Sequence, residues 1–206
     1  MVMASVDLDR LCSHLSSMQA DKLHTLQDDD SLTIPLIRGM TVPTAVASIR
    51  SHIAAMSDMK DRLCCINEIY LSLMEKGVIA PWLFVRICDT RGAPEDTPMA
   101  RYFQNVKSNM DFIYSMDVTE ERTHICAMLG ESSTPNVGLD VYCFCFWPPV
   151  QGVAVFKPQY GFSRRQQDVL REMLGNGREF CGFGPYQDLN SAHSAGVFVS
   201  SCSSSE

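Results

Sequence analysis

The sequence predicts a single α+β domain: a helical pair, then a mostly antiparallel sheet, then a C-terminal helix. Three observations carry that expectation. Apolar residues recur at helical spacing through residues 42–56 and again through 59–73. From Pro81 onward the pattern changes to period two or to near-continuous apolar runs of strand length. Ser163-Arg164-Arg165-Gln166 then has the form of a capping box, in which a serine and a glutamine satisfy the free amides of a new helix.

Residues 1–30 read as an acidic, partly ordered arm, with six acidic residues against two basic ones and the run Asp28-Asp29-Asp30 at its end. Leu8, Leu11, Leu15 and Met18 fall at helical spacing, so a short amphipathic helix is expected there. Ser13, Ser16 and Ser17 interrupt it, and a helix that short needs tertiary support. Residues 32–38 read as an edge strand, because Pro35 has no amide to donate to a ladder. Thr41 is an N-cap candidate and Pro43 lies in the first turn, where its missing donor costs little. Val42, Val46, Ile49, Ile53 and Met56 then mark one helical face. In the second helix, from about Asp58, Met59, Leu63, Ile66, Tyr70 and Leu73 do the same, and Gly77 is placed to end it.

Residues 82–88 form an apolar run, as a strand covered on both faces requires. Residues 89–98 are rich in Pro, Gly and acid and read as an exposed loop. Met110, Phe112, Tyr114, Met116 and Val118 alternate with Asp111, Ser115 and Asp117 at the period of a strand. His124–Leu129 gives another short strand, and Leu139–Trp147 a long one that Pro148-Pro149 stops. Gly152–Lys157 is its expected hairpin partner. The helix from Ser163 buries Val169, Leu170, Met173 and Leu174 and ends at Gly175. The globular domain is therefore expected over residues 31–185. Residues 186–206, rich in Ser, Ala, Gly and Asn, read as a flexible tail with too little apolar surface to offset its ordering entropy.

Composition narrows the class. The chain has 206 residues, 46% of them hydrophobic and 20% charged, with a net charge of -7. A chain of that length buries roughly 70% of its extended surface and needs no metal or disulfide staple to fold. The negative balance argues against a surface devoted to nucleic acid or anionic lipid, while leaving room for a local basic patch. Nine cysteines at irregular spacing do not read as a disulfide framework. No signal-like opening, membrane-length apolar run or N-x-[ST] sequon is present. An intracellular protein of the cytoplasm or nucleus, with reduced thiols and no transmembrane segment, is expected.

The search for chemistry yields no G-x-S-x-G, H-E-x-x-H or P-loop pattern. Cys143-Phe144-Cys145 lacks a second knuckle of zinc-site spacing, and on a strand its thiols share one face as small core residues. Among the histidines, His124 and His52 are the ones placed to face a protected site. An enzyme built around Cys126, His124 and the Cys143/Cys145 pair is the catalytic alternative. No catalytic, cofactor-binding or metal-ligating residue is assigned, and no cofactor is expected. Lys157, Arg164, Arg165, Arg171 and Arg178 concentrate positive charge, with the first two arginines of the helix opposing its dipole. They are the candidate contact for an anionic partner. Trp147, Pro148 and Pro149 form a candidate partner-anchoring loop, since such residues lose little entropy when fixed.

The order of elements resembles that of rhabdovirus matrix proteins, particularly the compact ones of plant viruses. The resemblance runs over residues 30–185: edge strand, two helices over 41–76, strands, the helix at 163–174 and a short stretch near Phe180–Phe183. The P-P-x-Y motif of animal members is missing. Pro148-Pro149-Val150-Gln151 does not match it, Pro43-Thr44-Ala45-Val46 misses the related P-[TS]-A-P pattern, and the arm is acidic where a basic one is typical. No functional residue is therefore carried across. The resemblance implies a non-enzymatic structural protein that self-associates, binds nucleocapsid and touches the inner membrane leaflet. Expected partners are a second copy, other proteins and an anionic membrane surface or nucleocapsid, without base-specific recognition of nucleic acid. The alternative role is a host-directed viral accessory or regulatory adaptor.

Overall fold

The computed structural model describes residues 3–88, 112–129, 140–147, 150, 152–156 and 179–203. In chain order these form helices α1 (Met3–Ser16), α2 (Ala20–His24), α3 (Val42–Ala55) and α4 (Met59–Glu75), with a 3-10 turn at Thr25–Asp28. Six strands follow, β1 (Trp82–Cys88), β2 (Phe112–Val118), β3 (Thr123–Leu129), β4 (Asp140–Phe146), β5 (Gly152–Phe156) and β6 (Glu179–Tyr186), and helix α5 (Leu189–Ser203) closes the described chain. The strands make one antiparallel sheet in the order β2-β3-β4-β5-β1-β6. The fold is α+β, as the change of hydrophobic period requires.

The helical pair forms where its spacing places it. Thr41 precedes α3 with extended backbone, and proline occupies the first turn. The Asp58 carboxylate accepts a hydrogen bond from the Lys60 amide (2.6 Å) and caps α4. Gly77, at φ +64°, turns the chain out of α4 in a conformation that a side chain would disfavour. The buried stripes of both helices, Val46, Ile49 and Ile53 on α3 and Leu63, Ile66, Tyr70 and Leu73 on α4, enter one core with the near face of the sheet.

Pairing register explains the apolar runs. Cys126 stands opposite Cys143, which stands opposite Phe156, which stands opposite Trp82. This row faces the helices, and all four side chains are fully buried. The intervening residues Ile125, Ala127, Tyr142, Phe144, Val153 and Val155 lie on the opposite face and are equally buried. A strand with both faces covered has no polar positions to alternate with. Cys143 and Cys145 do share the core face, and the Cys143 thiol lies 3.6 Å from that of Cys126. The Trp82 indole donates to the Ile79 carbonyl (2.8 Å), so its polar atom is satisfied at full burial.

Four expectations change. The segment expected as a partly ordered arm is packed along its described residues 3–30: Leu8, Leu11, Leu15, Leu23 and Leu26 are buried in the main core, and α1 packs on α3 and α4, with Asp9 paired to Arg50. The tertiary support that a short helix needs is present. Residues 32–38 form no regular secondary structure and join no sheet; Ile37 is buried while Leu36 is exposed. Instead of a flexible tail, residues 189–203 form α5, which packs on β1, β5 and β6. Asp188 caps it by accepting from the Ser191 amide (2.7 Å) and hydroxyl (3.0 Å). Trp147 is 8% exposed, with its ring 4.8 Å from that of His193 on α5, so it is a core residue where an exposed contact was expected. The helix expected at 163–174 lies outside the described residues.

Candidate functional site

Strand β2 carries a different chemistry on each face. It is an outer strand of the sheet, paired to β3 with Asp117 opposite His124 and Ser115 opposite Cys126. The connecting turn is fixed by Thr119, whose amide and hydroxyl both donate to the Arg122 carbonyl (2.9 Å each). The period-two alternation is real, but its sense is set by α4. Ser115 and Asp117 face that helix, and Ser115 accepts a hydrogen bond from the Asn67 amide (2.9 Å). Tyr114, Met116 and Val118 face solvent, 43%, 44% and 61% exposed.

On the inner face, at the hairpin end, three elements converge. Glu75 is the last residue of α4, Asp117 the penultimate residue of β2 and His124 the second residue of β3. One ligand atom from each lies within 4.8 Å of the other two. The two carboxylates are partly exposed, while His124 beneath them is 1% exposed. The His124 Nδ1 to Asp117 Oδ2 separation is 4.0 Å, beyond hydrogen-bonding range, and neither ring nitrogen has a hydrogen-bond partner.

Electrostatics follows from this placement. Burial is the main cause that holds the His124 imidazole down at about 4; Arg122 adds to it and Asp117 opposes it. At neutral pH the ring is therefore uncharged and keeps a lone pair. Burial also raises the Glu75 carboxyl above its usual range, reinforced by Asp117 and Asp29 and opposed by Lys76 and Arg122. A buried neutral imidazole with two carboxylates is a nitrogen and oxygen donor set of the kind that borderline divalent cations take. The adjacent thiols differ. Burial raises Cys145 to about 12 and Cys126 well above its ordinary value, so both stay protonated.

Of the two histidines that sequence placed in a protected position, His124 belongs to this cluster and His52, on α3, does not; Glu75 and Asp117 were not singled out. The available signal was Ser115-x-Asp117, two polar residues on one side of an otherwise apolar strand. Lys157, Arg164, Arg165, Arg171 and Arg178, together with Pro148 and Pro149, lie outside the described residues.

Residues 4–107, just over half of the chain, match the family described as Uncharacterized mitochondrial protein AtMg01350. The chain belongs to this family. The matched segment runs from α1 past β1 and includes Glu75, whereas Asp117 and His124 fall beyond it. No curated protein matches the chain. Neither finding bears on the resemblance to matrix proteins. Among the described residues, no helix is long and apolar enough to cross a membrane.

Proposed function

We propose that this protein is a non-enzymatic assembly protein whose copies join through β2. The observation that carries this reading is the stripe of Tyr114, Met116 and Val118, exposed on an outer strand of the sheet. Outer strands are normally blunted by lysine, proline or a bulge, because their free amides and carbonyls template pairing with another chain. Residues 113–118 contain neither lysine nor proline, and β2 pairs with β3 without a register shift.

The occupant that fits is a second copy of the same strand. Antiparallel pairing about Ser115 sets Tyr114 of one copy opposite Met116 of the other, twice over. The two apolar stripes then become one across a two-fold axis. Self-association is also what the resemblance to matrix proteins implies. A single added strand pair belongs with the small interfaces, below the ~1,200 Å² at which standard-size specific interfaces begin, so the association is weak and concentration-dependent. The family's description makes the mitochondrion a compartment in which to look for the protein.

Sedimentation velocity over a hundredfold range of concentration tests the reading. The expected result is a monomer–dimer equilibrium that Met116→Lys shifts to monomer, because it sets a charge against Tyr114 of the partner copy. A wild-type chain that stays monomeric at the highest concentration overturns the reading, as does an M116K variant that dimerises equally well.

A further inference from the structure

We propose that Glu75, Asp117 and His124 form a binding site for one divalent transition-metal ion, of the Zn²⁺ or Mn²⁺ type. The inference is independent of assembly through β2, because these residues use the opposite face of the strand.

Two observations carry it. The first is convergence: ligand atoms from the end of a helix and from two paired strands lie within 4.8 Å of one another. Atoms sharing one ion at bond lengths of ~2.1 Å sit about 3.4 Å apart, so a small contraction closes the site. The carboxylates are the partners free to make it, since both are partly exposed. The second is His124 itself, 1% exposed with neither ring nitrogen hydrogen-bonded. Buried polar atoms almost always find a partner, and one left without it loses its hydration with nothing in exchange. Its Nδ1 lies 4.0 Å from the Asp117 carboxylate, a gap too long for a hydrogen bond. A cation between the two would satisfy both.

The donor set selects the class of ion. One imidazole nitrogen with two carboxylates suits Zn²⁺, Mn²⁺ or Fe²⁺; Ca²⁺ takes oxygen ligands throughout. Three protein ligands leave at least one coordination position to water on the exposed side. The bound ion would clamp the end of α4 to the β2–β3 hairpin.

Mn²⁺ is the probe of choice, because the chain's nine cysteines compete for Zn²⁺ and bind Mn²⁺ poorly. Full-length protein freed of metal with a chelator is titrated with Mn²⁺, and the free ion is counted by electron paramagnetic resonance. One equivalent is expected to bind. Asp117→Asn and Glu75→Gln, at the two partly exposed positions, are each expected to weaken it at least tenfold. Long-range ¹⁵N spectra with diamagnetic Zn²⁺ should move the His124 ring nitrogens in the wild type, and not in D117N. Circular dichroism matching the wild type separates lost ligation from lost fold. Absence of binding at millimolar Mn²⁺, or equal binding by wild type and both variants, overturns the site. So does saturation with Zn²⁺ that leaves the His124 nitrogens unshifted.

Discussion

Replacing His14 by Phe gives a pH-dependent prediction with a sign. His14 lies on α1 with its ring stacked on Tyr70 of α4 (5.7 Å between centroids) and on Phe156 of β5 (5.4 Å). Its Nδ1 is buried without a hydrogen-bond partner, and burial holds the ring down at about 4. In the unfolded chain the same ring titrates near 6.5. The unfolded state therefore binds a proton that the folded state refuses. Because the folded value is the lower one, the stability at stake is fully present above pH 6.5. It is lost as pH falls towards 4. The loss is about 2 kcal/mol by pH 5 and about 3 kcal/mol below pH 4.

Phenylalanine fills the same aromatic slot and takes no proton. Urea unfolding is followed by the fluorescence of Trp82 and Trp147, both buried, at pH 7.5, 6 and 5. Every other titrating group is shared by the two proteins and cancels in the difference between them. Between pH 7.5 and 5 the stability of H14F relative to wild type should rise by about 2 kcal/mol. At a urea slope of ~2 kcal/mol per molar, that is a relative midpoint shift of about 1 M. A difference that stays flat with pH would refute the reasoning, because it would mean that the ring is solvated or partnered in the folded state.

Two further outcomes follow from burial. Of the seven cysteines whose side chains are described, Cys181 is exposed, whereas Cys126, Cys143 and Cys145 are fully buried. Alkylation of native protein, mapped by mass, should therefore label Cys181 early and those three only on unfolding; early labelling of Cys143 would contradict the packing. Truncation before Leu189 should lower the unfolding free energy by a few kcal/mol, because it removes Leu189 and Ala192 from the core and α5 from Phe84 and Trp147. Calorimetry checks it: an unchanged melting temperature would restore the flexible-tail reading of these residues.

The legibility of each element depended on where its stability resides. Helices α3 and α4 each carry an apolar stripe in their own sequence, with a proline in the first turn of α3 and the Asp58 cap on α4, so local pattern sufficed. Helix α5 is different, with serine at 191, 194, 200, 201 and 203 and a glycine at 196. Those residues are poor helix formers, and the helix depends on its cap and on fit. At Gly196 a Cβ would come within 2.6 Å of the Phe84 ring, so α5 lies directly on β1 only because nothing stands there. Composition reads that segment as disordered because it registers no contacts. Residues 32–38 fail in the opposite sense: they are rich in apolar residues, but a strand exists only when another strand pairs with it.

The candidate site was hidden for a related reason, and that reason constrains how it can work. Period two tells which residues share a face of β2, not which face meets α4. The answer comes from pairing: with Asp117 opposite His124 and the Asn67–Ser115 hydrogen bond in place, the polar pair must face the helix. A one-residue slip in the hairpin would reverse every side chain, burying Met116 under α4 and turning Asp117 to solvent. Thr119 and Arg122, which close the turn, therefore hold both features of the strand at once. A single register presents an apolar stripe outward and completes a carboxylate–imidazole cluster inward. Substitutions on one face should then leave the other intact, whereas a register-breaking change in the turn should abolish both together.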